Sequence, residues 1–249
     1  MFSNTIEFIA PKVVLEDKDA HPLPIKKLIP DWYKKLSADK DTVKNCMPFL
    51  DTLTTGYALP LTSDLIVKFN HIETDDTIVR CPHEASVRFA VENNLNVAVN
   101  PLETVHPRWQ LEGSPLLNKN RNQTIQKIIW PWTIKTSPGY SCLFLPPMNN
   151  RDDRFEILSG IVDTGDVLIV QGQINFPFVL NGDKYQRLDT KIKKGTIFAQ
   201  CIPFKRESWK MKLNDLKKIN KTRLPFSYKF LTKFQQKYKM QSWQKKNFY

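Results

Sequence analysis

Asp163 is the carboxylate whose neighbours best suit chemistry. It closes the run Gly160-Ile161-Val162-Asp163 and precedes Thr164-Gly165. A carboxylate there does ordinary turn chemistry by accepting a backbone N–H, or it takes a catalytic role. The turn reading is the commoner of the two. The histidines are His21, His71, His83 and His106. An acid–base or metal constellation needs two of them beside a carboxylate. His83-Glu84 and His106 are the candidates, and their spacing fits neither HExxH nor a facial triad. Cys46, Cys81, Cys142 and Cys201 show no metal-ligand spacing. Cys142 and Cys201 sit in apolar runs, where a free thiol behaves as a small hydrophobe. The sequence contains no GxSxG elbow, no GxxxxGK[ST] loop and no GxGxxG turn. With 8 glycines in 249 residues, little remains to build a phosphate loop. No metal, no cofactor and no complete catalytic set is expected, so a non-enzymatic protein leads.

Binding residues are easier to nominate. Trp130 and Trp132 flank Pro131 and lie near Tyr140 and Phe144. Such a cluster builds core, or it lines a pocket or interface. The other nominees are cations. The net charge is +12, and residues 203–249 hold 14 Lys/Arg against 2 Asp/Glu. The first 202 residues, with 23 of each sign, are neutral. A neutral body with a basic tail follows, so the pI near 9.5 describes the tail and not the whole surface. Lys217 and Lys218 lie in its lysine-rich first part. Beyond Pro225, Phe226, Phe230, Phe234 and Tyr238 recur every fourth residue, as do Lys229, Lys233 and Lys237. That spacing predicts an amphipathic basic helix. Its aromatic stripe docks on the body, or its lysines meet an anionic partner, and the two uses are compatible.

The elements that must position these residues read mainly as strands. The 17 prolines disfavour long helices over most of the chain. Residues 5–15 read as an edge strand broken at Pro11, and 31–35 as a short helix opened by Pro30. Residues 47–61, 64–72, 77–81 and 96–105 read as strands, 84–94 as a helix, and 112–124 as a loop. Apolar runs at 127–136, 140–147 and 155–180 follow. Asn181-Gly182 and Lys194-Gly195 read as hairpin turns. Short strands at this density predict a mainly β fold, a sandwich or roll with minor helix. It has a body at 1–204 and a mainly helical tail at 205–249 packed on that body.

Four segments resemble an uncharacterised protein family of T4-like phages of marine bacteria, with related bacterial domains of unknown function. They are IPDWYKKL (29–36), CMPFLDTLTTGYALPL (46–61), residues 132–164 and IKKGTIFAQCIPFKRESWKMKL (192–213). The resemblance implies a phage origin and expression in the host cytoplasm, or a place in the virion. A second resemblance is to the β-clip of dUTPases and dCTP deaminases. Gly160-Ile161-Val162-Asp163 and Gly195-Thr196-Ile197-Phe198-Ala199-Gln200 are similar to two of its segments, and Thr55-Gly56-Tyr57 to a third in placement. The resemblance implies a nucleotide cleft bordered by Tyr57, Asp163 and Gln200. The family's stacking tyrosine and its Arg-Ser-Gly phosphate element are missing, and fold alone does not carry function across that gap.

The leading expectation is therefore a non-enzymatic binding or assembly protein. Its partners would be other phage or host proteins, or nucleic acid bound without sequence preference through the tail; a homo-oligomer is left open. A nucleotide-binding or hydrolase-like protein on a dUTPase-like scaffold is the alternative. The opening stretch MFSNTIEFIAPK has neither a basic n-region nor a long apolar run. No stretch reaches the roughly 18 apolar residues of a membrane span. A soluble protein is expected.

Overall fold

The computed structural model describes residues 4–39, 41–70, 77–80, 102–119, 125–165, 174–214, 238–239 and 242–249. Among them the fold is mainly β, with fourteen strands in four antiparallel sheets, four short helices and no closed barrel. No helix among the described residues is long and apolar enough to cross a membrane.

The largest sheet has the order β11-β9-β14-β3-β2. Its strands are Gly160–Val162 (β11), Tyr140–Leu145 (β9), Ile197–Lys205 (β14), Tyr57–Pro60 (β3) and Leu23–Pro24 (β2). A four-stranded sheet comprises Phe155–Ile157 (β10), Asn175–Leu180 (β12), Ile125–Ile129 (β7) and Leu102–His106 (β6), in that order. Arg187–Ile192 (β13), Leu65–Asn70 (β4) and Thr77–Arg80 (β5) form a third sheet. Ile6–Ile9 (β1) pairs with Thr133–Thr136 (β8). The helices are Lys12–Glu16 (α1), Asp31–Lys34 (α2), Met47–Thr54 (α3) and Pro115–Lys119 (α4).

All four sheets send side chains into one core. Alternation decides which ones: along β4, Leu65, Val67 and Phe69 are buried while Lys68 is exposed. At the centre, Phe176 meets Phe198 at 4.9 Å, Phe144 at 5.4 Å and Trp130 at 6.0 Å, each edge to face. Such pairs contribute about 0.5–1.5 kcal/mol each beyond their buried area. Trp130 is fully buried, and its indole N–H donates to the Pro60 carbonyl at 3.1 Å. Trp132 is buried beside it, with His21 edge-on at 5.5 Å. Both tryptophans are thus core.

Several local readings are corrected. Residues 47–54, read as strand, form α3. Pro48 falls in its first turn, where the missing N–H costs nothing. After Pro11 the chain turns into α1 rather than resuming a strand. Pro115–Lys119, inside the expected loop, is helical. The turns at Asn181-Gly182 and Lys194-Gly195 exist, but they are not hairpins. β12 pairs with β10 and β7, β13 with β4, and β14 with β3 and β9. Each turn carries the chain from one sheet to the next. The expected helix at 84–94 and the aromatic stripe from Phe226 to Phe234 lie outside the described residues.

Gly56 fixes the entry into β3. Its φ is +82°, and a Cβ there would lie 2.2 Å from the Cys201 carbonyl oxygen on β14. Gly56→Ala is therefore expected to cost at least about 2 kcal/mol, from positive-φ strain plus a backbone clash. Chemical denaturation of the two proteins measures it.

Candidate functional site

Two short elements set the stage. α3 places Asp51 on the surface beside the entry to β3, and Gly56 delivers Tyr57 to the start of that strand. Against them lies the end of the chain, residues 242–249, which has no regular structure beyond a turn at Ser242. Side chains hold it. The Trp243 indole N–H donates to both Asp51 carboxylate oxygens at 3.1 Å. Lys246 Nζ reaches the same carboxylate at 2.6 Å. Phe248 stands edge-on to Tyr57 at 5.8 Å. The Tyr57 hydroxyl donates to the Tyr249 carbonyl at 3.3 Å, and Lys26 Nζ sits 4.4 Å over the Tyr249 ring.

A helical turn precedes this segment. The Tyr238 carbonyl accepts from the amides of Ser242 and Trp243 at 3.0 and 2.8 Å. Tyr238, the last member of the aromatic stripe, is exposed. The contacts with the body described above are made by the final eight residues.

Beneath Phe248 and Asn247 is a cavity of about 210 Å³, walled by Thr5, Tyr57, Thr136 and Pro203 among others. Burial pushes the Tyr57 phenol above its ordinary value, with the nearby Cys201 and Cys142 adding to the rise, so it remains a hydrogen-bond donor. A buried polar chain starts at the cavity wall. The hydroxyls of Thr136 and Thr164 are 2.8 Å apart, and Thr164 donates to Cys142 Sγ at 3.3 Å. Burial pushes the Cys201 thiol well above its ordinary value. Cys142 and Cys201 are both free and fully buried, and Cys46 is free and exposed; Cys81 lies outside the described residues. No carboxylate is among the residues that line this cavity. It offers shape, hydroxyls and amides.

The residues nominated for one cleft are set apart. Gln200 pairs with Ala58, and Cys201 pairs with Tyr57. Consecutive side chains face opposite sides of a sheet, so Gln200 and Tyr57 do not share a face. Gln200 is fully buried, and its amide is spent on the protein. Oε1 accepts from the Met148 amide at 2.9 Å, while Nε2 donates to the Thr52 and Thr55 carbonyls at 3.2 and 2.7 Å. It pins α3 to the loop after β9. Asp163 follows β11, accepts from the Ser141 hydroxyl at 2.6 Å and lies 3.5 Å from the Arg206 guanidinium. Lys217, Lys218, Lys229, Lys233 and Lys237 lie outside the described residues. His106 Nδ1 meets Gln110 Oε1 at 2.7 Å, and no metal-type cluster occurs among the described residues.

Asp51, Lys26, Trp243, Lys246 and Phe248 were not foreseen. They are single residues far apart in sequence, with no shared period. The available signal was three aromatic residues, Trp243, Phe248 and Tyr249, within the last seven of a lysine-rich tail. No protein-family model, curated protein or solved structure matches the chain.

Trp243→Ala removes the two bonds to Asp51 and a half-buried ring. The expected outcome is faster proteolysis within 206–249 and a stability loss of about 1–3 kcal/mol. Limited proteolysis and thermal melting of the full chain check it. Lys246→Ala is expected to cost under about 1 kcal/mol, because that pair is partly solvated.

Proposed function

We propose that this phage-type chain is a non-enzymatic nucleic-acid-binding protein that uses its C-terminal region as the contact and its neutral body as the scaffold. One observation carries the reading: the whole net charge lies in a stretch whose two ends are both fixed to the body. At one end β14 runs out at Lys205, and the Arg206 N–H donates to the Gly139 carbonyl at 2.8 Å. At the other, Trp243 and Lys246 hold Asp51. The lysines between these two anchored ends are clustered in sequence. Clustered cations gain affinity for a phosphate chain by releasing its counterions, without reading sequence.

The body supports the same reading through its own economy. Asp163 and Gln200, the residues nominated for nucleotide chemistry, are engaged within the protein. The Asp152 carboxylate binds Arg154, and Asp153 accepts from Tyr185 and Lys184. Those loop charges serve the fold.

Binding to duplex DNA should weaken steeply as salt rises from about 50 to 200 mM. Reversing Lys217, Lys218 and Lys229 to Glu should lower affinity and flatten the log–log salt slope by about 0.9 for each phosphate no longer neutralised. Fluorescence anisotropy measures both. Unchanged affinity and slope in that variant would contradict the proposal.

A further inference from the structure

The chain between Phe204 and Asn214 is exposed at every residue, and beyond β14 it contains no helix, turn or bend. Its composition is not that of a solvated linker. Trp209 is 88% exposed, Met211 81% and Leu213 87%. Lys210 and Lys212 alternate with them. Large apolar side chains left in water lose the stabilisation that burial would give, and three within five residues make a patch rather than scattered surface hydrophobes. The arm is rooted. Arg206 is held at Gly139 and near Asp163, so the patch starts a few residues from a rigid strand end.

Charge selects the partner. Residues 205–214 carry Lys205, Arg206, Lys210 and Lys212 against Glu207. Two such arms from two copies would repel. A partner with flat apolar faces strung along an anionic chain satisfies both halves of the pattern, and unpaired nucleobases on a phosphodiester backbone are that chemistry. A duplex offers the phosphates but hides the base faces in its stack. We propose that Trp209 is a stacking platform for an unpaired base of single-stranded nucleic acid, with Lys210 and Lys212 contacting the flanking phosphates. This rests on the nucleic-acid reading above and adds the strandedness of the ligand.

The test uses the full chain, an oligothymidylate of about 20 nucleotides and a duplex of equal length. Trp209→Ala should weaken oligothymidylate binding by about 5- to 100-fold, the range for removing one base–aromatic stack. Duplex affinity and both salt slopes should stay as in the parent. Trp209→Phe should recover much of the loss, which a merely electrostatic role would not require. Equal losses on both ligands, or no loss on the single strand, would overturn the proposal. So would a Met211→Ala/Leu213→Ala variant that loses self-association while its single-strand affinity is unchanged by either this change or Trp209→Ala; the arm would then be a protein contact. Failure of the parent to bind either ligand in a salt-dependent way would contradict the broader reading instead. Parental duplex binding with an inert Trp209 would contradict only this one.

Discussion

The burial of Trp130 is the constraint on which the rest depends. Its indole N–H, removed from water, is satisfied by the Pro60 carbonyl at the end of β3. That bond ties the corner between β7 and β8 to the five-stranded sheet. The ring also meets Phe176 from the four-stranded sheet, Phe198 from β14 and Phe8 from β1. Three sheets therefore close on one side chain. From Phe8 the aromatic contacts continue to Tyr57 and on to Phe248. The docked end of the chain is in this sense an outward extension of the core, reached through edge-to-face rings.

Much of the fold was legible, and the parts that were not share a physical cause. Short apolar runs between breakers exposed the strands, and Asn181-Gly182 and Lys194-Gly195 marked true turns. A turn's chemistry fixes where the chain bends, not which sheet accepts the next strand. β12 and β13, or β13 and β14, could have zipped together; burial of Val67, Ile192 and Phe198 on one core sent them apart instead. Residues 47–54 mislead because their apolar density suits a strand as well as a half-buried helix, and Pro48 resembles a breaker although it opens the helix.

The candidate site was half legible. Charge segregation needed only counting, and Tyr57 and Gln200 stand on strands that the sequence located. Their roles came from geometry. Register puts Gln200 and Tyr57 on opposite faces, and hydrogen bonds commit Gln200 to holding α3 and the loop after β9. The clasp of Asp51 by Trp243 and Lys246 joins residues about 190 positions apart. No local pattern encodes a contact of that span. It turns a basic tail from a free arm into a stretch held at both ends.

The central claim is that binding belongs to this held stretch and not to the body. Lysine-reactivity footprinting of the full chain, with and without a single-stranded oligonucleotide at low salt, tests it most directly. The expected result is protection of lysines within 203–249 and unchanged reactivity of those in the neutral body, Lys68, Lys127 and Lys191 among them. Protection spread over the body, or absent from 203–249, would contradict it.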